Sequence, residues 1–200
     1  MDNDREHICF VDFETTGSNL FEDEPIQIGA FLASGSDDKS LSEFKSFIKP
    51  TKNIKNTQKA FRIHGISTKD LVNEPEPKQV LSNFFEKFGT NFCFGGWNIS
   101  FDIPFFRKLC YENGYQKYYD DINYRHIDVQ SVCRTLKYID LVEPDLNSLS
   151  DFANYFGLER SKAHDALEDA KITHVVFLKA LNLLKESNKK KADFTHLVNL

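Results

Sequence analysis

The stretch Ile8-Cys9-Phe10-Val11-Asp12-Phe13-Glu14-Thr15-Thr16-Gly17 constrains this chain more than any other. Apolar Ile8, Phe10 and Val11 mark a buried strand. Asp12 and Glu14, two residues apart, put two carboxylates on one face at its end. Like charges side by side raise each other's pKa unless a cation lies between them, and a hard, oxygen-seeking ion such as Mg²⁺ or Mn²⁺ suits that place. On its own, an Asp-x-Glu reads more readily as a strand end whose acids face water. The turn Thr15-Thr16-Gly17 argues for more, because a tight turn lets backbone approach a ligand. A site then needs further acids from elsewhere in the chain.

Composition frames the search for them. Two hundred residues, 40% hydrophobic and with 19 Phe, are too apolar for disorder and predict one domain over residues 1–184. No stretch approaches the roughly 18 apolar residues of a membrane span. The acidic start Met1-Asp2-Asn3-Asp4-Arg5-Glu6 leads directly into the first strand, so no signal peptide and a cytoplasmic location are expected. Cys9, Cys93, Cys110 and Cys133 are scattered without a Cys-x-x-Cys pair, which predicts free thiols. A net charge of -5 argues weakly against a protein that coats nucleic acid nonspecifically, and does not exclude an enzyme whose bound metals carry the positive charge.

Pro25 to Ala33 reads as a second strand and, after a Gly/Ser/Asp turn, Leu41 to Ile48 as a third. Lys49, Lys52, Lys55, Lys59 and Arg62 then accompany a short apolar helix pattern ending at Ile63-His64-Gly65-Ile66. This basic strip reads equally as a phosphate track or a solvated loop. Pro77 opens a helix through Phe88, and a fourth strand, Asn91 to Trp97, runs into Asn98-Ile99-Ser100-Phe101-Asp102 and a helix from Phe101 to Tyr111. Asp102 thus stands at a strand-to-helix junction, where ligands gather in α/β folds, although an acid there also favours the first helical turn. Residues 111–124 are a tyrosine-rich connection with no assignable element. Arg125 to Val129 reads as a fifth strand carrying Asp128, followed by helices from Gln130 to Tyr138 and, capped by Asn147, through Phe156.

The segment Ser161-Lys162-Ala163-His164-Asp165-Ala166-Leu167-Glu168-Asp169-Ala170 opens a long helix from about Asp165 to Leu184, apolar around too much of its circumference to be a surface helix. Ala166 and Ala170 allow it close to the sheet, with Asp169 on the adjoining flank and His164 just before the first turn. A lone His-x-x-x-x-Asp is weak. Joined to Asp12, Glu14 and Asp102, it is strong.

Four carboxylates and a histidine in these places resemble the DEDDh (DnaQ-like) family of 3'-to-5' exonucleases, which includes the bacterial replicase proofreading subunit, oligoribonuclease and ribonuclease T. The family's Asp-x-Glu-Thr-Thr-Gly is matched by Asp12 to Gly17, its Asn-x-x-Phe-Asp by Asn98 to Asp102, and its His-x-Ala-x-x-Asp by His164 to Asp169. The resemblance includes Ile63 to Ile66, spans roughly residues 7 to 184, and is nearest to the proofreading members. Trp97 departs from the family, which often has His there.

The resemblance implies a ribonuclease H-like three-layer α/β fold: a mixed five-stranded sheet with the second strand antiparallel, helices on both faces, and the site at the end of the first strand. It implies two divalent cations, Mg²⁺ or Mn²⁺, with Asp12 bridging them, Glu14 and Asp169 completing the first, and Asp102 holding the second largely through water. His164, an imidazole base, is suited to take the proton from the attacking water. Thr15, Thr16, Gly17 and Leu20 are expected around the terminal nucleotide, His64 near its backbone, and Asn98 and Phe101 beside it. The expected partner is nucleic acid with a free 3' end, single-stranded DNA foremost. An RNA exonuclease of the oligoribonuclease or ribonuclease T kind shares these motifs; a binding module without catalysis fits poorly with a full set of acids. Residues 185–200 read as a basic, then apolar tail, frayed or docking on nucleic acid, a polymerase or a second copy of the chain.

Overall fold

The computed structural model describes residues 7–34, 40–51, 58–159 and 164–190. At its centre lies β1 (His7–Thr15), the predicted acid-bearing strand. On one side β1 pairs antiparallel with β2 (Pro25–Ser34), which pairs antiparallel with β3 (Ser40–Phe47). On the other it pairs in parallel with β4 (Cys93–Gly96), which pairs in parallel with β5 (Asn123–Asp128). The sheet order is β3-β2-β1-β4-β5, so β2 alone runs against the others, as the sequence predicted.

Alternation along β1 divides the core into two layers. Cys9, Val11 and Phe13 face Val80, Leu81, Phe84 and Phe85 of α2 (Pro77–Phe88) and Phe106, Leu109 and Cys110 of α3 (Asp102–Glu112). The high Phe content is spent largely here: Phe84 alone packs its ring against those of Phe44, Phe85, Phe88, Phe92 and Phe106. Ile8 and Phe10 face the other layer, made by α5 (Val129–Tyr138), α6 (Leu149–Tyr155) and α7 (Ala166–Lys190). Asp12 and Glu14 continue the Ile8-Phe10 row, so both carboxylates lie on the α7 face.

The structure corrects or completes the sequence reading in four places. The unassigned connection contains α4 (Gln116–Asp120), whose Tyr119 packs on Phe106; one turn of helix is too short to show a periodic pattern. The α6 cap is Ser148 rather than Asn147: its hydroxyl accepts from the Asp151 N–H, while Asp151 accepts from the Ser148 N–H in a reciprocal capping box. Asp128 caps α5 through the Gln130 N–H. Finally, α7 runs on past Leu184 to Lys190, since residues 185–190 hold no glycine or proline to stop it. Residues 191–200, with the expected contacts of Lys191, Phe194, Leu197 and Leu200, lie outside the described residues, as do Lys52 and Lys55 of the basic strip. No described helix is long and apolar enough to cross a membrane. All four cysteines are buried free thiols.

Candidate active site

The acids of β1 sit where the strand ends. Register pairs Asp12 with Gly29 and Glu14 with Gln27, and the ladder slips between Glu14 and Thr15. Gly29 is required by packing: a Cβ there would lie 2.1 Å from the backbone of Ala166 and Leu167. The first turn of α7 is thus seated on β2, beside Asp12. Gln27 completes the seat, its Oε1 accepting from the Ala166 N–H at 3.0 Å.

Asp102 arrives from the other layer. Its carboxylate is buried in the first turn of α3 and accepts from the Phe13 N–H at 3.0 Å, between the two acids of β1. Burial pushes its pKa well up, opposed by this bond. Asn98 sets up the approach with a left-handed backbone (φ 55°), its N–H donating to Asp128 at 3.2 Å and its Oδ1 accepting from Ser100 at 3.1 Å. Trp97, the departure from the family pattern, packs on Phe152 of α6.

From α7 comes Asp169, buried, with exposed His164 just ahead of the helix in a left-handed turn (φ 63°). Glu14, His164 and Asp169 each offer one ligand atom, all within 4.8 Å of one another. Glu14 is only 7% exposed, and its pKa is pushed up to about 8, first by burial and then by Asp169, Asp102 and Asp165. A carboxylate crowded by buried acids is stabilised as an anion only by positive charge among them, so Asp12, Glu14, Asp102 and Asp169 suit divalent cations. Asp165 is an acid the sequence reading passed over. It is buried, and Lys45 of β3 ion-pairs with it.

Beside the acids opens a pocket of about 530 Å³, walled by Phe13, Glu14, Thr15, Gly17, His64 and Phe101 among others. The Thr15 hydroxyl donates to the Gly17 carbonyl at 2.6 Å, and a Cβ on Gly17 would collide with Asp23. His64, at the end of α1 (Gln58–His64), accepts from the Ile66 N–H through Nδ1, which leaves Nε2–H to donate to the Thr15 carbonyl at 3.1 Å. Its pKa is lowered, by burial first and also by His164, against the Thr15 bond. His64 therefore ties α1 to the end of β1 and offers the pocket a ring. Lys59 of the basic strip also lines the pocket, whereas Lys49 is bonded to Glu76 at 2.6 Å.

Three further expected contact residues also take structural roles or lie outside the pocket's lining. Thr16 is fully buried, donating to Asp23 and accepting from the Glu24 N–H, and so braces the turn. Leu20 and Asn98 are not among the residues lining the pocket. The Leu20 carbonyl accepts from Lys108 of α3 at 2.7 Å, which pins the loop forming the pocket's outer wall.

Fold and site together define a nuclease: a ribonuclease H-like sheet with its acids gathered at the end of the central strand. The comparisons narrow this. The chain belongs to the exonuclease family RNase_T, whose family model matches residues 9–177, and within it to the DEDDh 3'-to-5' exonucleases. It is 32% identical over 176 residues to DNA polymerase III subunit epsilon of Aquifex aeolicus, covering 87% of this chain and 80% of that one. To the PolC-type DNA polymerase III of Thermotoga petrophila it is 30% identical over 190 residues, 92% of this chain but only 13% of that much longer protein. Its fold matches E. coli exonuclease I, solved in complex with a dT13 oligonucleotide, with a TM-score of 0.75 at 21% identity over 98% of this chain and 46% of that one.

Proposed function

We propose that this exonuclease degrades single-stranded DNA from a free 3' end, releasing 5'-mononucleotides, with two divalent cations, Mg²⁺ or Mn²⁺, in its carboxylate site. The observation that carries this reading is the crowding of Glu14, Asp102 and Asp169 beside Asp12 and His164, at the edge of a pocket large enough for one nucleotide. Asp12, Glu14, Asp102 and Asp169 would hold the ions. When bound, such ions screen an anionic phosphodiester and stabilise the attacking and leaving oxygens.

The remaining work falls to this chain's own groups. Phe101 and the backbone of Thr15 and Gly17 wall the pocket that takes the terminal nucleotide, with the His64 ring closing one side. His164, exposed and within 4.8 Å of the Glu14 and Asp169 ligand atoms, takes the proton of the attacking water. Attack at phosphorus breaks the bond to the 3' oxygen. The released nucleotide keeps the 5'-phosphate and the shortened strand regains a 3'-hydroxyl.

DNA rather than RNA is favoured because the relatives covering most of this chain are DNA polymerase III subunits or polymerases. That kinship also supports a proofreading role beside a polymerase. The direct test is metal dependence on a labelled single-stranded DNA. Activity should vanish in excess chelator, return with Mg²⁺ or Mn²⁺, and be almost absent in Asp12→Ala at any metal concentration. Full activity in chelator would refute the reading.

A further inference from the structure

In register across the sheet, Lys45, Gly29 and Asp12 form one row on the α7 face. The middle member has no side chain, and the start of α7 occupies the slot this leaves, its Ala166 and Leu167 backbone lying over Gly29. On one flank of the slot is Asp12, the acid placed at the centre of the metal site. On the other is Lys45, about one-third exposed, ion-paired with buried Asp165. Asp165 is the hinge of the segment: its carbonyl accepts from the Asp169 N–H at 2.9 Å, and the next peptide N–H, that of Ala166, is held by Gln27. The residue before it is His164, in a left-handed conformation that a non-glycine residue holds only where its surroundings impose it. A second tie between β3 and α7, Glu43 to Lys171 at 2.5 Å, lies farther along the helix.

We propose that Lys45 is a positioning residue: by holding the Asp165 carboxylate across the Gly29 slot, it fixes the turn that aims His164 at Glu14 and Asp169. Lys45 reaches the chemistry only through Asp165, since the start of α7 lies between it and Asp12. Losing the ion pair lets the 164–165 turn relax and displaces the imidazole, and errors of about 1 Å in a reacting group can cost a factor of about 10² in rate. The role rests on the exonuclease reading above, so the wild-type protein must first show chelator-sensitive digestion of single-stranded DNA; without it that reading fails, whatever Lys45 does.

With an active wild type, Lys45→Met should lower kcat about 10- to 100-fold while leaving KM, Mn²⁺ affinity by calorimetric titration and the far-UV circular dichroism near the wild-type values. Lys45→Arg, which keeps the charge, should recover most of the rate. Asp165→Asn should lower kcat as well, and the double variant should lose no more than the worse single one, because both break the same link. Unchanged kcat in Lys45→Met, strictly additive losses, or no recovery in Lys45→Arg would overturn the proposal. So would a loss confined to KM that deepens with salt, which would make Lys45 a contact for the substrate phosphates. Should Lys45→Met fail to fold, Lys45→Arg and Asp165→Asn still decide: both at wild-type kcat with Asp165→Asn folded refutes the link, and a loss in Asp165→Asn alone supports it.

Discussion

Glu14 is a carboxylate held where its charge is least welcome, 7% exposed with Asp169, Asp102 and Asp165 nearby, and its pKa is pushed up to about 8 from 4.5. The sign of the consequence follows from proton linkage. Between pH 4.5 and 8 the folded, metal-free protein keeps a proton that the unfolded chain has lost, so its stability falls as pH rises through that window. Asp102, raised by burial, adds in the same direction. The melting temperature of metal-free protein should therefore be higher near pH 5.5 than near pH 8.5, and added Mn²⁺ should raise it more at the higher pH, where the site is ionised. A metal-free melting temperature that climbs across this range would contradict the buried-acid site. His164 allows a second test at this scale, since it lies within reach of the Glu14 and Asp169 ligand atoms yet is read as a proton acceptor. His164→Ala should lower kcat by about 10²- to 10⁴-fold with Mn²⁺ affinity largely retained. Loss of Mn²⁺ binding in calorimetric titration would make it a ligand instead.

At the scale of elements, the decisive contact is the first turn of α7 against β2. Ala166 and Ala170 bring the helix close, and Gly29 removes the one side chain that would hold it off. Gly29→Ala places a methyl group 2.1 Å from the Ala166 and Leu167 backbone, which has no side-chain freedom with which to move aside. It should destabilise the protein by about 1–3 kcal/mol in urea unfolding and lower exonuclease activity by shifting His164 and Asp169 together. An active Gly29→Ala protein of wild-type stability would show that the seat is not what places them. Half of this seat was legible beforehand. The paired alanines showed in the sequence; Gln27, a polar residue inside the strand Pro25 to Ala33, was not singled out, since nothing local said that it would bond the Ala166 N–H, 139 residues away. Lys45 and Asp165 went unremarked in the sequence for the same reason: their partnership spans 120 residues. The α4 turn escaped because its tyrosines pack through tertiary contacts, Tyr118 on Phe85 and Tyr119 on Phe106, rather than along a periodic face.

For the molecule as a whole, the sheet brings together groups that are far apart in the chain. Strand β1 carries two acids to its end, the β4-to-α3 junction delivers a third, and α7 crosses the β2 side with the fourth and the histidine. The family resemblance that these motifs carry implied the ribonuclease H-like fold with β2 antiparallel, while the residues alone showed three early strands followed by alternating helices and strands, with the acids at element boundaries. The pocket was less legible. Beside their expected place at the nucleotide, Thr16 and Leu20 also brace the loop, through Asp23 and Lys108, a role that depends on the packing of α3 and that the sequence did not show. On the proposed reading the pocket takes one chain end and does not admit an internal phosphodiester, and single strands should be digested fastest because no base pair must first be opened, at a few kcal/mol. The measurement that bears most directly on this account is digestion of 5'-labelled linear DNA and RNA of matched sequence, alongside a circular single strand, with Mg²⁺ or Mn²⁺ present. The account predicts a descending ladder from linear DNA, slower loss of RNA and an untouched circle; cleavage of the circle, or shortening from the 5' end, would contradict it.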